Sequence, residues 1–136
     1  MINKVVSNTG PLMHLSEIDL IKVLSIFKNI YIADEIKNEL KRNKVNEDIF
    51  KKLKIIDLQG KFKDIVGILV NKFSLDLGEA ESIALALQER VDYFLTDDLT
   101  ARAVARFHSI EVHGTVGIIL RAFRENIITR EIAIKK

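Results

Sequence analysis

Short β-branched runs alternate along the chain with longer segments of helical period, and this alternation predicts parallel strands joined by crossover helices. The strands are expected at residues 4–7, 29–32, 54–58, 93–96 and 110–112. Pro11 suits a first helical turn, where its missing N–H costs nothing, and Asn8-Thr9-Gly10 supplies a cap and turn before it. A helix should therefore follow strand one directly. Residues 34–42, with Ile36 and Leu40 four apart, and residues 46–53 read as a helical hairpin. Between 62 and 73 the stripe Phe62, Ile65, Val66, Leu69, Val70 and Phe73 predicts a helix with one face in the core. Asp76-Leu77-Gly78 interrupts, and the alanine-rich stretch 79–90 predicts a helix able to lie close to a sheet. Helices follow at 99–107 and 116–123, and the tail 129–136 reads as two weak turns.

Composition narrows the class without choosing a function. A chain of 136 residues, 48% apolar, has the size of one globular domain with a real core, an α/β domain spanning residues 1–136. The formal charge is only +2, so affinity for a polyanion has to come from local clustering. With no cysteine there is no disulfide framework, thiolate nucleophile or cysteine zinc site. No uncharged run approaches the roughly 18 residues a membrane span needs. The expectation is a soluble, cytoplasmic protein.

Candidate chemistry lies in polar residues at element ends. Asn8 closes the run Val5-Val6, Asp98 follows Tyr93-Phe94-Leu95-Thr96, Glu79 opens the alanine-rich helix, and Glu39 lies one turn past another strand. In an open parallel sheet, ligands bind outside the carboxyl ends of the strands, where these residues would meet. Three carboxylates and one amide gathered there call for a divalent counter-charge, and all-oxygen donors suit magnesium. Each residue also has a plainer role. Asp97 or Asp98 caps the following helix, with Asp97 the preferred cap. Glu79 complements a helix dipole, Glu39 pairs with nearby Lys41, Arg42 or Lys44, and Asn8 is a turn residue.

Taken together, Asn8-Thr9-Gly10-Pro11-Leu12, Glu35-Ile36-Lys37-Asn38-Glu39-Leu40, Gly78 to Ala86, Thr96-Asp97-Asp98 with Ala101-Arg102, and Val112 to Leu120 resemble the PIN-domain family. The likeness is to its toxin-like branch, related to the VapC ribonucleases. It implies a three-layer α/β/α sandwich with a short, mainly parallel sheet, and magnesium- or manganese-dependent hydrolysis of RNA. The family's ligand positions fall on Asn8, Glu39, Glu79 and Asp98. It further implies a homodimer and a small antitoxin partner. Where the family usually has aspartate this chain has Asn8, which removes one negative charge; Asp97 is the candidate to replace part of it. Relatives often run on past the helix after Gly114-Thr115, and a partner chain is expected to cover the edge left where this chain stops at Lys136.

RNA must also be held. Lys37, Lys41, Arg42, Lys44, Lys51, Lys52 and Lys54 crowd one helical arm and predict salt-dependent phosphate binding, or else a solvated face. Arg102, one turn after Asp98, is the single best phosphate contact, or a brace for Asp98. His14, His108 and His113 read as helix, surface and loop residues without catalytic roles. One alternative function is a PIN-like module that binds RNA or protein without cutting, which Asn8 favours. A receiver-like domain would need a lysine after the last strand, where Val112-His113-Gly114 has none. A nucleotide hydrolase would need a glycine-rich phosphate loop, also absent.

Overall fold

Strand pairing explains where the site lies. The computed structural model describes residues 2–135. Strands β1 (Ile2–Ser7), β2 (Phe27–Ile32), β3 (Leu53–Ile55), β4 (Tyr93–Leu95) and β5 (Val112–His113) form one parallel sheet in the order β3-β2-β1-β4-β5. The central strand β1 is apolar on both faces, with Val5 and Val6 wholly buried, as a strand covered on both sides must be. Burying each such side chain stabilises the fold by roughly 1.5–3 kcal/mol. Strand order reverses between β1 and β4, so their carboxyl ends open the crevice in which α/β sheets bind ligands.

The helices are α1 (Thr9–Glu17), α2 (Asp34–Arg42), α3 (Lys61–Phe73), α4 (Leu77–Glu89), α5 (Leu99–Phe107), α6 (Thr115–Arg124) and α7 (Arg130–Lys135). They flank the sheet in the expected three-layer α/β/α arrangement. The small residues of α4 do what their size suggests: Gly78, Ala80, Ser82, Ala84 and Ala86 are buried against the sheet and neighbouring helices.

Several local expectations need correction. The hairpin's second arm is a six-residue 3-10 helix, Glu47–Lys52, that runs straight into β3, because parallel pairing with β2 takes Leu53 into the sheet. An unforeseen 3-10 helix, Ile21–Ile26, leads into β2. The β5 pairing begins two residues later than the apolar run, which starts at Ile110. The stripe on α3 is not fully core. Leu69 is buried, but Ile65, Val66, Val70 and Phe73 are only half-buried, since α3 packs chiefly on α4. The tail forms one short helix rather than two turns; Lys136 lies outside the described residues. Among the described residues no helix is long and apolar enough to cross a membrane.

Candidate functional site

The carboxyl ends of β1 and β4 gather the expected residues at one edge of the sheet. Asn8 follows β1 and caps α1, its Oδ1 accepting from Thr9 N at 2.9 Å. Its amide donates to Thr96 Oγ1 across the strand junction at 3.2 Å, and that hydroxyl also accepts from Asp98 N at 3.2 Å. Thr9 in turn donates from Oγ1 to Glu39 Oε2 at 2.9 Å, which ties α2 to the end of β1. Thus Asn8, Glu39 and Asp98, up to ninety positions apart in sequence, share one hydrogen-bonded frame.

Glu79 adjoins this frame through its proximity to the Asp98 carboxylate. Asp76 caps α4 by accepting from Glu79 N at 2.8 Å, and Asp76 N donates back to Glu79 Oε1 at 3.1 Å, a reciprocal capping box. Helix α4 therefore starts at Leu77, two residues before the expected position, and it leaves at Arg90 through a left-handed φ of 50°. The Asp-x-x-Glu spacing announced this cap, and Asp76 was missed as a member of the site.

Burial and like charge act together on these carboxyls. Desolvation pushes Glu79 up to about 7, helped by the carboxylates of Asp76 and Asp98 and opposed by its bond from the Asp76 backbone. Glu39 is also raised, first by burial and then by Asp76 and Glu35, against the bond from Thr9 and the charge of Arg42. Such uncompensated oxygens are what a divalent ion relieves. Among the described residues no three His, Asp or Glu side chains stand in direct metal-ligating geometry. A magnesium ion at this edge would therefore have to be held partly through its waters.

Gly78 decides how close Glu39 comes. A Cβ there would collide with Glu39 Oε1 and stand 3.0 Å from Ile36 Cδ1. Gly78→Ala should leave the melting temperature nearly unchanged, because about 1 kcal/mol of helix propensity offsets the displaced side chain. With Glu39 in the metal-holding role that the resemblance implies, magnesium affinity read by titration should fall roughly tenfold as Glu39 swings aside.

The cap of α5 falls to the second of the two adjacent aspartates rather than to the first. Asp98 is the cap of α5, accepting from Ala101 N at 2.8 Å. Asp97 instead turns to α6 and α1: its Oδ1 accepts from Thr115 N at 2.7 Å, and its Oδ2 accepts from Thr115 Oγ1 at 2.5 Å and lies 2.8 Å from His14 Nδ1. Burial raises the Asp97 carboxyl, but the Thr115 bonds and His14 outweigh it and hold it below the usual carboxylate value. Its oxygens are engaged with protein partners, which argues against its replacing the missing charge at Asn8. His14, set aside in the sequence as a plain helix residue, is part of this corner, and nothing in its local pattern revealed a partner 83 positions away.

The cationic candidates separate. Arg102 is half-buried beside Gly114, its Nη1 3.2 Å from where a Gly114 Cβ would stand, and it forms no ion pair among the described residues; it is not a brace for Asp98. On the α2 arm, Arg42 pairs with Glu35 at 2.8 Å, Lys37 with Asp34 at 3.0 Å and Lys51 with Asp48 at 3.3 Å, while Lys54 donates to Asn29. Lys41 and Lys44 are exposed and have no ion-pair partner among the described residues.

Comparisons with known proteins agree with this architecture. A family profile described as a PIN domain matches residues 4–135. A PilT N-terminus domain protein from Sulfolobus solfataricus superposes with a TM-score of 0.60 at 12% identity, over 89% of this chain and 93% of that one. A toxin-antitoxin complex from Klebsiella pneumoniae gives 0.57 at 16% identity, over 73% and 90%. VapBC2 from Rickettsia felis, bound to a DNA fragment from their promoter, gives 0.57 at 16% identity, over 82% and 98%. At such identities the likeness is one of fold. No curated protein matches significantly.

Proposed function

The chain belongs to the PIN-domain family, and from that premise we propose that it is a magnesium- or manganese-dependent endoribonuclease. The supporting observation is the cluster at the β1–β4 switch point, where Asp98 lies close enough to raise the Glu79 carboxyl and Glu39 is held by Thr9. Glu39, Glu79 and Asp98 would hold the ion, directly or through water, with Asn8 the neutral member. Bound there, the metal supplies a Lewis acid for the phosphate and a water of lowered pKa. The chain's own part is placement. Thr9 and the capping box fix the carboxylates, Thr96 fixes Asn8 against Asp98, and Arg102 offers a planar fork to a phosphate oxygen. Lys41, Arg42 and Lys44 extend the cationic path along α2. Hydrolysis by water should leave a 5′-phosphate with no cyclic phosphate among the products.

Two partners complete the proposal: a small antitoxin, as the toxin-antitoxin complex among the neighbours suggests, and a second copy of the chain. One observation favours a second reading, a PIN-like module that binds RNA or protein without cutting. The Asn8 amide spends its donor on Thr96 and its oxygen on Thr9, and it lacks the charge a metal ligand usually brings. Asn8→Asp separates the two readings. Because Thr96 can turn its hydroxyl to donate to the new carboxylate, the fold should persist, and the added charge should tighten magnesium roughly tenfold. Wild-type cleavage of single-stranded RNA with magnesium, lost with chelator, supports the nuclease. Inert wild type with cleavage gained by Asn8→Asp supports the module.

A further inference from the structure

The corner around Asp97, bonded to His14 and Thr115, stands apart from the carboxylate cluster. Asp97 Oδ2 lies 2.8 Å from His14 Nδ1; in the tautomer that carries its hydrogen on Nδ1 to meet this carboxylate, Nε2 is left as an acceptor. No described residue bonds that Nε2, and the His14 side chain is 53% exposed. Arg102, a half-buried donor with no ion-pair partner among the described residues, lies near the same carboxylate: a Cβ on Gly114 would stand 2.7 Å from Asp97 Oδ1 and 3.2 Å from Arg102 Nη1. One acceptor and one donor, neither bonded among the described residues, thus lie near Asp97, which directly precedes the proposed metal residue Asp98. A ribonucleotide offers the complementary pair: a phosphate that only accepts and a 2′-hydroxyl that donates. A deoxyribonucleotide has the first and lacks the second.

We propose that His14 reads the ribose 2′-hydroxyl of a nucleotide whose phosphate is held by Arg102, and so selects RNA over DNA. The idea rests on the nuclease reading but is tested apart from it, by binding in chelator. Wild type should bind a single-stranded RNA roughly fivefold more tightly than the DNA of the same sequence, the worth of one neutral hydrogen bond. His14→Asn keeps an amide donor for Asp97 and removes Nε2. It should melt close to wild type, bind RNA roughly fivefold more weakly, and bind DNA unchanged. RNA carrying single 2′-deoxy substitutions probes the same contact on wild type, so the test survives if the variant fails to fold; one position should reproduce the whole loss. Equal wild-type affinity for RNA and DNA, binding of neither, or parallel losses of both in His14→Asn would overturn the proposal. Selective binding without magnesium-dependent cleavage would instead sink the nuclease reading alone.

Discussion

Glu79→Gln is expected to lower magnesium-dependent RNA cleavage roughly 100-fold or more, by removing a charged metal contact, while making the metal-free protein more stable at neutral pH. Glutamine can still accept from Asp76 N, so the capping box survives and the fold is not at stake. The stability gain follows from linkage. Glu79 in the folded protein sits at about 7 against a model value of 4.5, so the native state holds its proton more tightly than the unfolded chain. Its contribution is therefore fully present below the unfolded value and is lost as pH rises from about 4.5 through 7. Because the group is partly exposed, solvent screening reduces this to on the order of 1 kcal/mol. Thermal melts between pH 4.5 and 8 should show the wild type falling relative to the variant, and magnesium should restore wild type at pH 8 while doing little for Glu79→Gln. Parallel curves and undiminished cleavage would remove Glu79 from the site.

Asp97→Ala should be the most destabilising of the single substitutions considered, by about 3 kcal/mol, since hydrogen bonds to a charged group are worth about 1.5–3 kcal/mol each and are not additive. It releases Thr115 at the start of α6 and His14 on α1 together, loosening the edge beyond β4. Asp97→Asn, which can still accept from Thr115 N, should recover part of the loss. Denaturant unfolding of the two variants measures this; a loss near zero for Asp97→Ala would mean that α6 is held by packing alone. The same substitutions should leave magnesium affinity nearly intact, because Asp97 spends its oxygens within the protein.

Much of this protein could be read from its sequence because the relevant forces are local or periodic. β-branched runs announced the strands, and the end of β1 placed Asn8 at the sheet's carboxyl edge. Alanines spaced for one face announced α4. Polar residues at element ends pointed to Asn8, Glu39, Glu79 and Asp98, and Glu39 comes close to the start of α4 because Gly78 has no Cβ.

Other features belong only to the tertiary structure. Which of two adjacent aspartates caps α5 depends on where Thr115 and His14 lie, and both are distant in sequence. How deeply the α3 stripe is buried depends on its packing against α4, because helical period marks an apolar face but not what covers it. The raised carboxyls of Glu39 and Glu79 likewise have no local signature, since desolvation and like charge exist only once separate segments share a small volume. The chain by itself settled the alternation of elements and set polar residues at their ends. Folding settled which donors face one another and which are spent on holding helices, because hydrogen bonds and fields act through space and not along the backbone.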